Sequence, residues 1–375
     1  MQPQPLFNQN ELIDNQRRKE RLLKVLHSGD GILMAGAGCS GSIYADWQGF
    51  INLLQEEAIK AENTFKPIDE SVEDFLDFAD RVKSQIGSEL YYNLIFRSFK
   101  EKEKTHEKFH ESLCRLLQKK KLKGITTTNY DFVLEYAMNA ITKEQITPIC
   151  IDNNMEQARV FEFLMSLNNA GKLKGILHIH GHINSKDSII LSKTEYEAKY
   201  GFKLLQPPNT IFEAIQRNEM DEAQFAGLLK DYGLVWTTHR KIMWSLFATR
   251  RLIFIGFSLN DYYFNKMLEF VSNDLHTYGY DMHFLVLRIK TVEEKEHAKA
   301  KATLMKEKFG IETIFYEENE SNTGLENFIF EIEKQMNFDD PLQLGIKTEP
   351  QKEEDKKEDD DEVFTQKLIE ESKKR

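Results

Sequence analysis

Gly31-Ile32-Leu33-Met34-Ala35, followed at once by Gly36-Ala37-Gly38-Cys39-Ser40-Gly41, is a short apolar run entering a glycine-rich turn. An unbroken apolar run of this length reads as a strand buried on both faces, the kind that parallel sheets use. Similar runs recur at 124–128, 175–179, 188–191, 251–255, 282–287 and 311–316, and 251–255 is the clearest of them. Helical spacing fills the intervals. A helix is expected over 11–27, and nearly continuous helix over 47–121, where Phe75, Phe78, Ala79 and Val82 recur at three and four residues. Alternation of this kind predicts an α/β domain, a Rossmann-like parallel sheet with helices on both faces.

The expected organisation is a helical lead-in over 1–30, a catalytic domain over 31–338 and a tail over 339–375. The domain carries a helical insert at about 47–121 and a second at about 201–240, broken at Pro207-Pro208. In the tail, residues 351–362 hold eight acidic side chains, three lysines and nothing apolar, so the tail is expected to be disordered.

Composition narrows the function. A chain of 375 residues, 41% hydrophobic and 30% charged, can bury one large core with an insert. Net charge is −11 and no Lys/Arg block stands clear of acidic neighbours, so direct nucleic-acid binding is not expected. Cys39, Cys114 and Cys150 are scattered, which disfavours a disulfide framework and a cysteine-rich zinc site. No run approaches ~18 apolar residues and the first residues lack a signal-peptide pattern. The expected location is cytoplasmic, away from membranes.

Four motifs carry chemistry. The first, Gly36 to Gly41, satisfies GxGxxG between a strand and a helix, where glycines let backbone approach a pyrophosphate at a helix N-terminus. A tight turn needs the same glycines. The acidic residue that a dehydrogenase carries on a second strand about 20 positions on falls here in helix, which disfavours that class. The second, Thr126-Thr127-Thr128-Asn129-Tyr130-Asp131, leaves a strand for a helix; Thr128 and Asp131 are spaced as a capping box. The third is His178-Ile179-His180-Gly181-His182. Continued as a strand, it would put three histidines on one face and invite a metal. No Cys or carboxylate lies nearby in sequence, so no metal is expected; His178 and His182 read as buried structural histidines, and His180 as a strand-exit side chain facing a ligand. The fourth, Ile255-Gly256-Phe257-Ser258-Leu259-Asn260-Asp261, is again a strand end with a helix cap.

In this order the four motifs resemble the sirtuin-like NAD-cleaving family of prokaryotic antiphage defence, over roughly residues 30–335. The resemblance implies that Asn129 and His180 are catalytic. It implies that Gly36, Ala37, Gly38 and Ser40 hold the NAD pyrophosphate, that Gly256, Ser258 and Asp261 line the adenosine side, and that Thr127 and Asp131 lie beside the cofactor. The implied activity is hydrolysis of NAD to nicotinamide and ADP-ribose. Three scattered cysteines cannot build the four-cysteine zinc module of deacylating sirtuins, so a protein deacylase or ADP-ribosyltransferase is the weaker reading, alongside an NAD or ADP-ribose sensor without catalysis. The resemblance also implies a homo-oligomer larger than a dimer and a partner such as a HerA-type hexameric ATPase or an Argonaute.

Overall fold

The run 31–35 becomes the central strand of the sheet. The computed structural model describes residues 6–45, 47–69, 74–103, 105–151, 157–168, 175–201, 236–275 and 283–338. Seven strands pair in parallel in the order β3-β4-β2-β1-β5-β6-β7. They are β1 (Gly31–Ala35), β2 (Leu122–Thr127), β3 (Pro148–Cys150), β4 (Ile176–His178), β5 (Arg251–Ile255), β6 (His283–Ile289) and β7 (Ile311–Glu317). The helices are α1 (Gln9–Ser28), α2 (Trp47–Ala61), α3 (Phe75–Ile86), α4 (Ser88–Phe99), α5 (Lys108–Gln118) and α6 (Val133–Thr142). There follow α7 (Gln157–Ser166), α8 (Lys193–Tyr200), α9 (Thr238–Thr249), α10 (Tyr262–Leu275), α11 (Val292–Phe309) and α12 (Gly324–Phe338). All of β1 is buried, as is β5 beyond Arg251, which is why these strands read as continuous apolar runs. Residues 1–333 form one compact unit; of residues 334–375, only the end of α12 is described. Among the described residues no helix is long and apolar enough to cross a membrane.

Register decides where the motifs meet. Ala35 pairs with Thr127 on one side and Ile255 on the other, and Thr127 pairs with His178. The last residues of four strands therefore lie side by side at the carboxyl edge. The chain leaves β1 for β2 on one side and later returns to β5 on the other, so the four following loops surround a topological switch point.

The two ends of the sheet are finished differently. Asn15 of α1 bonds both backbone groups of Phe315 in β7, each at 2.8 Å, as a neighbouring strand would. At the other edge β3 is three residues long and starts with Pro148, which an edge strand tolerates at its first position. This strand is absent from the sequence reading. Conversely, 188–191 is not a strand: it follows a short 3-10 turn (Lys186–Ser188), and Ile190 N–H makes a single bond to His180 O. Ile189 and Leu191 are apolar because they join the core of the insert, while Ile190 joins the main core. Most of the expected insertion at 201–240 (residues 202–235) and the tail at 339–375 lie outside the described residues.

The insert at 47–121 folds as α2 to α5 around Phe50, Leu54, Phe78, Val82, Tyr91 and Ile95. Its polar edge grips the start of α8. Lys193 Nζ reaches Asp77 at 2.8 Å, Thr194 N–H and Oγ1 bond Asp80 at 2.9 and 3.0 Å, and Lys83 Nζ meets Glu195 at 2.7 Å. Tyr92 O–H also donates to Glu195, whose other oxygen accepts the backbone N–H of Leu191 and Ser192 in a capping box. Replacing Glu195 with alanine removes a cap and strands a half-buried lysine. The expected loss is about 2 kcal/mol of stability, measured by urea unfolding; a change below about 0.5 kcal/mol would mean that the insert does not hold α8 through this carboxylate.

Candidate functional site

The turns after β1 and β5 touch backbone to backbone. Gly36 N–H donates to Ile255 O and Gly38 N–H to Gly256 O, both at 2.9 Å. A Cβ on Gly36 would stand 2.6 Å from Gly256 O, and one on Gly38 would stand 2.9 Å from Gly256 Cα. Gly256 itself has φ +69°, and its Cβ would meet Cys39 N at 2.6 Å. Loop-on-loop packing thus accounts for glycine at 36, 38 and 256. The expected helix N-terminus is not there: Ala37–Cys39 is a three-residue 3-10 turn, and the next α-helix begins at Trp47. Buried His110 anchors the turn from α5. Its Nδ1 accepts Glu107 N–H at 2.9 Å and its Nε2–H donates to Cys39 O at 2.5 Å. Burial pushes its pKa down to about 4 against the pull of the Cys39 carbonyl, so it is neutral, with one hydrogen for that carbonyl.

Asn129 hangs on the same turn. Its side-chain NH₂ donates to Gly36 O at 3.1 Å and to Ser40 Oγ at 3.0 Å. A carbonyl only accepts, so the amide orientation is fixed, and the Asn129 Oδ1 is left without a hydrogen-bond partner among the described residues. Thr127 Oγ1 donates to Ala35 O at 2.9 Å and accepts Asn129 N–H at 3.0 Å, tying the two neighbouring strand ends together. Ser40 hydrogen-bonds Asp131, so its oxygen is free to receive the Asn129 amide. Burial pushes the Asp131 carboxyl up, opposed by Val133 N–H at 3.1 Å and by Ser40. The expected Thr128–Asp131 capping box does not form: α6 starts at Val133, and Asp131 bonds that residue's N–H directly.

The three histidines part company. β4 stops at His178, and Gly181 turns the chain with φ +79°, its position closed to a Cβ by Ser188 O at 2.3 Å. Fully buried His178 gives Nδ1–H to Asn129 O and Nε2–H to Glu135 Oε1, both at 2.8 Å. Burial alone would lower its pKa, but the Glu135 charge and hydrogen bond, with the Asn129 carbonyl, outweigh it and raise the value. The His182 ring packs on His178 at 5.3 Å and on Phe132 at 5.4 Å. Among the described residues no group of three or more His, Cys, Asp or Glu side chains is gathered to hold a metal.

His180 belongs to α8 rather than to its neighbours in sequence. Its Nε2 meets Tyr200 Oη at 2.7 Å and its Nδ1 lies 3.4 Å from Tyr196 Oη. Tyr196 O–H donates to Asp261 Oδ2 at 2.5 Å, while Asp261 Oδ1 accepts Phe264 N–H at 2.9 Å. Burial lowers the His180 pKa, with Asp261 pulling the other way. Asp261 therefore turns inward toward His180 and also caps α10. Ser258 is exposed, and its carbonyl accepts Lys301 Nζ, which also bonds Asn260 Oδ1 at 2.5 Å. Tyr196, Tyr200, Glu135 and His110 are not among the site residues expected from the sequence, and no local pattern marks them. A small cavity lined by Phe247, Leu268, Val271, His283 and Phe309 sits at the amino end of β6 and touches none of these groups.

The His178–Glu135 pair predicts a pH signature. A folded-state pKa raised above the unfolded value of about 6.5 gives stability that is complete below that pH and lost as pH rises through the folded value. The unfolding free energy of the wild type minus that of His178→Gln is expected to be largest below about pH 6.5 and to shrink toward pH 8. A difference that is flat or grows with pH would show that His178 is not charged in the fold.

The sheet, the four loops and their two buried polar clusters can be set beside known proteins. No curated protein matches the chain. A family model described as a SIR2-like domain matches residues 123–314, more than half of the 375 residues. The match runs from β2 into β7 and takes in Asn129, His178, His180, α8 and Asp261; the turn after β1 and the whole helical insert precede it. SIR2-like domains bind NAD, and their superfamily is one of NAD-dependent enzymes. With its matched span covering most of the sheet and both polar clusters, this chain belongs to the SIR2-like domain family.

Proposed function

We propose that the chain is an NAD glycohydrolase that cleaves the nicotinamide–ribose bond. NAD and water would give nicotinamide, ADP-ribose and a proton. The leaving pyridinium departs as neutral nicotinamide, so the bond needs no strong general acid and no metal. What the protein must supply is orientation of the attacking water, tolerance of positive charge developing on the ribose, and a base for the proton.

The observation that carries this reading is the pairing of two different groups at one level of the sheet. Asn129 follows β2 and His180 follows β4 by the same two residues, from strand ends that are register partners. Asn129 has its NH₂ committed to the turn after β1, which leaves its oxygen as an acceptor that can hold a water or ribose hydroxyl. His180 is buried and its pKa is lowered, so it is neutral at neutral pH with a ring nitrogen able to accept a proton; such general-base help is typically worth about 10²–10⁴-fold. In this reading Gly36, Ala37, Gly38 and Ser40 border the pyrophosphate, while Gly256 and Ser258 border the adenosine side. Thr127 and Asp131 act by fixing Asn129.

The biological role belongs to the same proposal. An NAD-depleting effector of bacterial antiphage defence must be silent until triggered. Assembly as a homo-oligomer larger than a dimer, or with a partner such as a HerA-type ATPase or an Argonaute, would supply the control. The support for this role is the four-motif resemblance described above.

The test is incubation of the purified protein with NAD and chromatographic separation of nicotinamide and ADP-ribose. Asn129→Ala and His180→Ala are each expected to lower turnover by about 10²-fold or more with the fold retained by circular dichroism. Wild-type turnover in either variant would sink the assignment. Turnover is expected to survive excess EDTA; loss restored only by zinc would return a metal to the site. Deacylation of an acyl-lysine peptide in place of NAD hydrolysis would select the deacylase reading.

A further inference from the structure

Which nitrogen of His180 is the base follows from counting hydrogens in the cluster around it. Tyr196 has one hydroxyl hydrogen. At 2.5 Å from Asp261 Oδ2 that hydrogen is committed to the carboxylate, in the short range of charge-assisted O–H···O⁻ bonds. Toward His180, then, Tyr196 Oη can only accept. The contact at 3.4 Å is long, but its polarity is fixed: a hydrogen on Nδ1 makes it attractive, whereas a bare Nδ1 would set two lone pairs against each other.

The other ring nitrogen gives the same answer independently. Tyr200 is fully buried, and His180 Nε2 at 2.7 Å is the hydrogen-bond partner of its hydroxyl among the described residues. If Nε2 carried the hydrogen, Tyr200 would receive it, and its own O–H would be buried with no acceptor among the described residues, a cost of about 1–3 kcal/mol. With the hydrogen on Nδ1, every donor in the chain Tyr200–His180–Tyr196–Asp261 has an acceptor.

We infer that Tyr196, held by Asp261, is a positioning residue that keeps the hydrogen of neutral His180 on Nδ1 and so makes Nε2 the basic nitrogen, with Tyr200 O–H as its resting partner. The inference rests on the NAD-cleavage reading only for its catalytic consequence. A water or ribose hydroxyl that delivers a proton to Nε2 takes over the hydrogen bond that Tyr200 makes at rest, and the product imidazolium then donates from both nitrogens. Asp261 thereby works on His180 through Tyr196 without touching it. The sequence motif that supplies this carboxylate lies after β5, two strands beyond β2 in the sheet, so the device joins opposite sides of the switch point.

The readout is the tautomer itself. In protein labelled with ¹⁵N-histidine, the His180 signals are identified by their loss in His180→Gln. Wild type is expected to show a protonated Nδ1 and an unprotonated Nε2. In Tyr196→Phe the hydrogen is expected to move to Nε2 or to average between the two. With that change, kcat for NAD cleavage should fall between about 10-fold and 10⁴-fold with KM within about twofold, as when a catalytic histidine loses its tautomer control. Asp261→Asn is the second variant: Phe264 N–H and Tyr196 O–H bond different oxygens of Asp261, so an amide whose oxygen caps Phe264 N–H turns its NH₂ toward Tyr196, and the same tautomer change is expected with Tyr196 in place. A hydrogen on Nε2 in the wild type, or a spectrum unaltered in Tyr196→Phe, would overturn the inference. Wild-type protein that leaves NAD intact but shows the Nδ1–H form and its loss in Tyr196→Phe would refute the NADase reading and uphold the tautomer assignment.

Discussion

No side chain separates the turn after β1 from the turn after β5; they meet through Gly36, Gly38 and Gly256 at distances that any Cβ would violate. That close approach sets the geometry of everything that hangs on it. Asn129 grips the first turn through Gly36 O and Ser40, and Thr127 grips the end of β1 through Ala35 O. His110 holds the same turn from behind through Cys39 O. A backbone carbonyl is a rigid acceptor, so Gly36 O fixes which way round the Asn129 amide sits, and Ser40 takes its other hydrogen. The glycines that look like a phosphate signature are thus first of all a packing requirement.

The two halves of the polar site are built on different principles. On the Asn129 side, a buried ion pair does the positioning: His178 spends one N–H on Glu135 and the other on the Asn129 carbonyl. A buried pair is costly unless its hydrogen bonds are made; both imidazole hydrogens are used here, while Glu135 Oε2 is buried with no hydrogen-bond partner among the described residues. On the His180 side the neighbours are hydroxyls and one carboxylate, carried by α8 and the start of α10. α8 is in turn gripped by acidic and basic residues of α3 and by the hydroxyl of Tyr92 in α4. The helical insert therefore contributes to the site from a distance, through the helix that carries Tyr196 and Tyr200.

Sequence patterning revealed the parts of this arrangement that are local. β1 is five buried residues and β5 is four beyond an exposed Arg251, each followed by glycine, and such unbroken apolar runs are plain in the sequence. His180 stood out at a strand exit before a glycine turn, while Asn129 was marked as catalytic by the four-motif resemblance. The reading failed where burial came without a ladder, as at 188–191, and where a ladder came without an apolar run of useful length, as at Pro148–Cys150. The apolar run at 175–179 ends one residue past β4, and Gly181 turns the chain where the strand exit was expected, so His182 is not carried on with His178. Glu135, His110 and the tyrosines of α8 could not be found this way. Their meaning lies in partners from 16 to 71 positions away, and nothing in the local pattern of a helix tells a core tyrosine from one that binds a histidine.

Asn15 has one more consequence. By pairing with both the N–H and the C=O of Phe315, a single side chain occupies on β7 the place of an eighth strand. An open sheet edge is ordinarily the cheapest surface on which two copies of a chain can join, since the hydrogen bonds are already aligned. Here an incoming strand would have to evict an amide that already satisfies that backbone, along with Arg18, which bonds Thr313 O at 3.0 Å two residues earlier. Among the described residues, these two side chains already hold the backbone groups of β7 that a strand from a second copy would need, so extension of the sheet through this edge is opposed.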